Sequence, residues 1–363
     1  MRAPIALSCA VCMICSAASK LSAQDGVDSH RILFQGTWKR SEIGGRAFIA
    51  TARPELQIAG PHAVYVYDYA ASRLCALDST GRVLWTTSGS GGPAPEFSFG
   101  NPSDIKLDAA NNLWINDPYR RFVFVVSDQG IVQQLIPALR SAERIVLRGS
   151  GGFWLWDEAI RGGGFTMYGA NGARAGEIAL RDSRTGIDTL APIVRVPLLA
   201  GGPNANSPIV ETFSWSSDFL LWSPLDRRPV TVHGVEPLSF PTVLAWSVGG
   251  NQRVRIPPDA TRGVLSTVVG DSLIYILFSG TTKYKGRLID TYLLKNGRYA
   301  GSYLLPEPVI TISRLGGKFV TTTTRPAANV QIWTWMPVGK RASARKTAFR
   351  TARREARIRS WRQ

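Results

Sequence analysis

The sequence predicts an all-β fold: a six-bladed β-propeller closed by an N-terminal strand. Three observations predict it. A strand–turn unit recurs six times along the 363 residues, and no helical period of useful length appears. The last unit comes one strand short, while an apolar segment near the start has no partner of its own. On this reading residues 24–339 form the propeller, between a leader at 1–23 and a basic tail at 340–363.

The leader is read first. Arg2 supplies a positive start, Ile5–Ala18 an apolar run, and Leu21-Ser22-Ala23 a small-residue cleavage site before Gln24. The run is too short for a stable membrane span, which favours cleavage over an uncleaved anchor. The residues before Cys9, Cys12 and Cys15 do not form a lipoprotein box, so the expected product is a soluble periplasmic or extracellular protein. Removing the leader leaves Cys75 as the only cysteine, which excludes an internal disulfide and a multi-cysteine metal site. Cys75 sits in the alternating stretch Arg73–Leu77 and reads as a small core residue.

The repeating unit is a tight turn, an apolar strand ending in a polar residue, a loop, a second strand and a glycine turn. In the first copy Gly60-Pro61-His62 leads into Ala63–Asp68, then Arg73–Leu77 and Asp78–Gly81. In the second, Asn111-Asn112 leads into Leu113–Asp117, then Arg121–Val126 and Asp128–Gly130. Asp68 to Gly81 and Asp117 to Gly130 both span 13 residues. The third copy runs Gly151–Asp157, Phe165–Tyr168 and Asn171-Gly172; the fourth Ser217–Ser223 and Val230–Val232. The fifth runs Gly270–Ser279, Asp290–Leu294 and Asn296-Gly297; the sixth Gly316–Thr324 and Val330–Trp333.

Each piece has a physical reason. Asn-Gly and Gly-Gly pairs supply positive φ for hairpins. Apolar and β-branched runs suit strands covered on both faces. A closing Asp or Ser can accept from amides of the loop that follows. Glycine-rich stretches at Gly44-Gly45 and Gly91-Gly92 precede Leu56–Ile58 and Ile105–Leu107, read as the innermost strands of the first two blades. The last blade supplies Val309–Leu315, Phe319–Thr324 and Val330–Trp335, so Arg31–Trp38 is expected to pair with Val330–Trp335 and close the ring.

The second copy, Asn101–Asp108 through Leu113–Asp117 and Arg121–Val125, resembles the NHL-repeat class of six-bladed propellers, of the bacterial exported type. Val64–Leu77 fits the same pattern. The match is good over residues 44–136, fair to 180 and weak beyond, where long insertions appear and the closing Asp is missing. The resemblance implies a diverse family. It holds lactonase-like hydrolases that use acids and amides around a calcium, a zinc-dependent lyase, and propellers that only bind proteins, peptides or glycans. No lactonase ligand set matches this sequence residue by residue, and fold does not imply function.

Candidate chemistry is sparse. His30, His62 and His233 are the only histidines and share no metal-ligand spacing, so no metal residues are assigned. Asp68, Asp117 and Asp157 end equivalent strands and should share one face, with Asn101 and Asp104 approaching it. Such acids can hold a cation, with calcium the candidate, or place a general base; alternatively each caps its own turn. Arg73 and Arg121 either pair with Asp68 and Asp117 or offer cations to an anionic ligand. Tyr65, Trp114, Trp154, Trp156 and Trp222 read as core residues of second strands. The stretches Ser88–Pro102 and Pro197–Pro208 read as long loops without a phosphate-cradling pattern.

Charge is uneven. The chain carries +17 in all, and residues 340–363 hold ten Lys/Arg against one Glu. That composition suits a solvated tail or attachment to an anionic envelope surface, with nucleic acid not expected for an exported protein. The reading is therefore a non-catalytic binding propeller, with a lactonase-like hydrolase or lyase using a divalent cation as the alternative.

Overall fold

The computed structural model describes residues 31–43, 52–69, 71–89, 98–138, 142–149, 152–157, 160, 163–179, 192–195, 197–201, 207–223, 229–270, 272–280, 284–315, 317–323 and 329–338. The leader, the basic tail, His30 and the glycine pairs at 44–45 and 91–92 lie outside these residues.

Six four-stranded antiparallel sheets follow one another along the chain. Blade one is Ala52–Ala59, Val64–Asp68, Arg73–Leu77 and Val83–Thr87. Blade two is Asp104–Leu107, Leu113–Asp117, Phe122–Val126 and Val132–Pro137. Blade three is Ala142–Leu147, Gly152–Asp157, Gly164–Gly169 and Arg174–Ala179. Blade four is Pro197–Gly201, Ile209–Phe213, Phe219–Trp222 and Val230–Val232. Blade five is Val264–Val269, Leu273–Phe278, Leu288–Leu293 and Tyr299–Leu304. Blade six takes Thr311–Leu315, Lys318–Thr323 and Asn329–Pro337 from the end of the chain and Gly36–Ile43 from its start. The one helix among the described residues is the short turn Pro192–Arg195. No helix of the described residues is long and apolar enough to cross a membrane.

Among the described residues six apolar clusters lie one between each pair of neighbouring blades, and a small seventh, Tyr284 and Leu288, packs against Leu33 and Leu304. Tyr65, Tyr67 and Leu74 meet Ile105, Ile115 and Phe124 between blades one and two. Val123 and Val125 meet Ile145, Phe153 and Leu155 next. Trp156 and Phe165 then face Leu199, Phe213 and Leu220, and Phe219 and Leu221 face Ile274 and Tyr292. Leu277 and Ile289 pack on Ile312 and Phe319. The ring ends where Val320, Val330 and Ile332 meet Val64, Val66 and Leu77. Strands covered on both faces carry apolar side chains at consecutive positions, which is why Val64–Asp68 is buried throughout.

Glycine turns set the spacing between blades. Gly130, at φ +81°, closes the turn Ser127–Gly130, and a Cβ there would stand 2.8 Å from Trp85 of blade one. The Trp85 indole lies against this turn and donates to the Asp128 carbonyl at 2.7 Å.

Closure pairs the expected partners in a shifted register. Trp38 lies opposite Trp335 and Ile43 opposite Val330, so the closing strand is Gly36–Ile43 and not Arg31–Trp38. Arg31–Gln35 is engaged elsewhere. Leu33 bridges Ser302 in parallel, and the Phe34 amide donates to the Ser302 carbonyl at 2.9 Å, adding this segment to the outer edge of blade five. Gly301, at φ +139°, leaves room for the Phe34 ring, which a Cβ would approach at 2.5 Å.

Blade four also corrects the sequence reading. Its second strand is Ile209–Phe213, and Phe219–Trp222 is its third. Trp222 therefore sits one strand further out than expected. Pro197–Gly201 is the inner strand rather than loop. The misleading residue is Glu211, fully buried in the second strand and accepting from Trp222 Nε1 at 2.8 Å. An acid at the centre of Ile-Val-Glu-Thr-Phe reads as exposed unless its hydrogen-bond partner is known.

Cys75 is fully buried in blade one. Burial pushes its thiol up to about 12, with Arg73 opposing this and Asp68 adding to it. The native protein should resist iodoacetamide at pH 8 and become labelled stoichiometrically in urea. Labelling without denaturant would contradict this placement. Because the folded value is raised, the stability from the neutral thiol is complete below the free-thiol range. It is lost as pH rises from there towards 12.

Candidate functional site

In an up-and-down blade, the loop between second and third strands and the start of the inner strand emerge on the same face. Asp68, Asp117 and Asp157 end the second strands of blades one to three and stand at this face, all buried. They occupy equivalent places in neighbouring blades, and two of them are visibly tied into their own loops.

Asp117 accepts from the amides of Gly100 at 2.6 Å, Asn101 at 3.1 Å and Arg120 at 3.1 Å. It thus joins the loop leading into blade two to the loop leaving its second strand. Asp68 accepts from the Ala71 amide at 3.2 Å and pairs with Arg73 Nε at 3.3 Å. Asn101 contributes its backbone to this bonding, and its side chain is exposed. Asp104 is an inter-blade strut. One oxygen accepts from the Ile145 amide of blade three at 3.0 Å, and the other from Lys106 Nζ at 2.9 Å.

The turns after Asp68 and Asp117 are the same device. In both, the carboxylate accepts from the amide three residues on, and the fourth residue takes a left-handed backbone: Ser72 at φ 47° and Arg121 at φ 61°. Arg121 is therefore the counterpart of Ser72, not of Arg73. Its guanidinium is exposed and forms no ion pair with Asp117, while its carbonyl accepts from the Ala138 amide at 2.9 Å. Tyr119 and Arg120 beside it are also exposed, with the Arg120 guanidinium 5.8 Å from the Tyr119 ring centre.

A second group lies nearer the axis, where the inner strands begin. The inner strand of blade three carries a bulge between Ala142 and Arg144 that leaves Glu143 out of the ladder. Arg144 Nη1 donates to the Ser103 carbonyl at 2.7 Å and its Nε to the Pro197 carbonyl at 3.3 Å, linking blades two, three and four. Buried Asn116 donates to Ser103 Oγ at 3.0 Å and to the Ala142 carbonyl at 2.8 Å. Sequence reasoning missed this group. The visible signal was Asn116, a second polar residue in the otherwise apolar strand Leu113–Asp117.

The remaining candidates disperse. His62 is exposed in the turn between the first two strands of blade one, on the opposite face. His233 is exposed at the end of blade four, its Nδ1 3.1 Å from Asp218 Oδ2. Among the described residues no three His, Cys, Asp or Glu side chains form a group able to hold a metal ion. Asp68, Asp104 and Asp117 direct their carboxylates to amides and cations of the protein itself.

No family model matches the chain, and no curated protein matches it. Similar solved structures are found at low identity. The RRP9 WD40 repeats share 9% identity at a TM-score of 0.51, covering 84% of this chain and all of that one. A streptogramin B lyase shares 12% identity at 0.48, covering 82% of this chain and 98% of that one. Regucalcin, a calcium-binding protein from Agrobacterium tumefaciens, shares 12% identity at 0.47, covering 83% and 94%. At these identities the likeness is one of fold alone.

Proposed function

We propose that this propeller is a binding module of the NHL-like type. Its ligand, a protein, peptide or glycan bearing anionic groups, docks on the face built over Asp68, Asp117 and Asp157. The observation that carries the reading is Arg121. A long cation stands at a left-handed position that glycine would fill without strain, with Arg120 and Tyr119 exposed beside it. The buried carboxylates support the reading, since they hold the loops rigid and leave the arginines to meet the ligand. The leader at 1–23 supports a site of action in the periplasm or outside the cell, and the tail supports retention at an anionic envelope surface.

Arg121→Gly tests it, because the two effects of the change oppose one another. Relief of the left-handed backbone should stabilise the fold by about 1 kcal/mol. Affinity for an acidic polymer, with alginate and polyglutamate as probes, should fall several-fold. Removing residues 340–363 from both proteins takes the tail's charge out of the comparison. Unchanged affinity for both probes would sink the reading. A calcium- or zinc-dependent rise in Tm together with lactone turnover would replace it with the hydrolase alternative.

A further inference from the structure

Between the outer strand of blade four and the inner strand of blade five the chain makes a long excursion, residues 233–263. Its two ends are anchored. The Ser217 amide donates to the Leu238 carbonyl at 3.0 Å, and the Phe240 ring packs on Phe213 at 5.3 Å. At the far end the Gly263 amide donates to the Ser214 carbonyl at 2.9 Å. Between these anchors Leu244–Val248 and Asn251–Arg255 form a separate two-stranded sheet that pairs with no blade.

This hairpin stands clear of the propeller. Every residue from Leu244 to Val248 is exposed, and a Cβ on either tip glycine, Gly249 or Gly250, would meet nothing within 4 Å. Residues directly opposite in an antiparallel pair share a face. Leu244 lies opposite Arg255, Trp246 opposite Arg253 and Val248 opposite Asn251. One face therefore carries Leu244, Trp246 and Val248 together with Arg253 and Arg255. The Arg255 guanidinium stands 5.7 Å from the Trp246 ring centre. No acidic residue occurs between Glu236 and Asp259.

We propose that this hairpin is a membrane-surface anchor, whose Trp246 face enters the headgroup region of an anionic bilayer. An exposed tryptophan flanked by aliphatic residues suits the boundary between headgroup and acyl chain, and the arginines complement lipid phosphate. The open edges of a two-stranded sheet confine it to that boundary, because unpaired amides are not tolerated in hydrocarbon. The hairpin sits on the face where inner strands begin, so an anchored propeller would present the Arg121 loops towards the same surface. The inference stands independently of the ligand proposed for those loops.

The test uses residues 24–363, the chain without its expected leader, with vesicles of phosphatidylcholine containing phosphatidylglycerol and with phosphatidylcholine alone. Trp246→Ser with Val248→Asp should lower partition into the anionic vesicles about tenfold at physiological salt. The native unfolding midpoint should be retained, since both side chains are exposed. A Val248→Cys protein carrying an environment-sensitive dye reports the site directly, with Cys75 buried and out of reach. Its emission should shift to the blue with anionic vesicles and not with phosphatidylcholine. Partition that is unchanged in the double variant, or a dye that does not respond while the protein sediments with lipid, would overturn the proposal and leave binding to the tail. A blue shift that grows with protein concentration without lipid would also overturn it, in favour of contact between copies of this chain.

Discussion

Replacing Arg31 by alanine should destabilise the propeller by about 3–5 kcal/mol, a fall in Tm on the order of 10 °C. Arg31 has no exposed side-chain surface, and it meets two buried acids. Its Nε and Nη2 each donate to Asp290 at 3.0 Å, and its Nη1 donates to Glu236 at 3.1 Å. Its charged plane stands 5.1 Å from the Phe278 ring centre. Burial by itself would make the guanidinium easier to deprotonate. The hydrogen bonds and charges of Asp290 and Glu236 outweigh it and hold the pKa above the ordinary value. Ser302 Oγ also donates to Asp290 at 2.5 Å. Alanine would leave two carboxylates in a dry site without their cation, and an unpaired buried charge costs far more than an exposed ion pair contributes. Arg31→Lys should restore only part of the loss, since an ammonium cannot grip Asp290 with two parallel bonds. Equilibrium urea unfolding of the three proteins checks this. A midpoint within experimental scatter of the native one for Arg31→Ala would show that the triad holds nothing.

Trp38→Ala should cost about 3 kcal/mol, the range for removing a large aromatic from a packed site. Trp38 is the third residue of the closing strand Gly36–Ile43. Its ring lies 4.8 Å from Trp335, 5.8 Å from Tyr303 and 5.9 Å from Phe319, so it touches both blade five and blade six. Its indole N–H donates to the Leu304 carbonyl at 2.7 Å. Trp38→Phe should keep most of the packing and lose that bond, costing about 1 kcal/mol. Hydrogen exchange distinguishes a local from a global effect. Faster exchange in Asn329–Pro337 before the rest of the ring is expected, because that strand loses its outer partner. Uniform acceleration in all blades would mean that closure and global unfolding are one event.

The two sites tie the start of the chain to its end in different ways. The closing strand was legible in the sequence because the sixth unit lacked a strand and the ladder needs a partner. The Arg31 clasp was not, because Asp290 and Glu236 lie 259 and 205 residues away in sequence. An arginine just ahead of an apolar segment looks like an ordinary surface cation. The clasp also explains the shift of the closing strand to Gly36–Ile43, since blade five holds the residues before it.

Asp68 and Asp117 were legible as strand ends, and the structure places them there. That Asp68 caps its own turn and pairs with Arg73 was among the readings the sequence offered. The amides of Gly100 and Asn101 that Asp117 accepts from were not, since they come from the loop that precedes its strand. Arg121 was grouped with Arg73 as a cation following the strand-end aspartate. The backbone corrects this, because the left-handed residue rather than the cation keeps its place in the turn.

The alternation of apolar strands and glycine turns, by itself, determined an all-β fold of six radial units, the strand ends that share a face, and the need for an N-terminal strand to complete the ring. These follow from local constraints: side-chain period, turn conformation and strand count. Only the tertiary structure decided which buried acids have partners, where the closing strand begins, and that Leu244–Arg255 leaves the ring as a separate hairpin. Those outcomes depend on groups far apart in sequence, whose burial becomes tolerable only when the partner arrives across the fold.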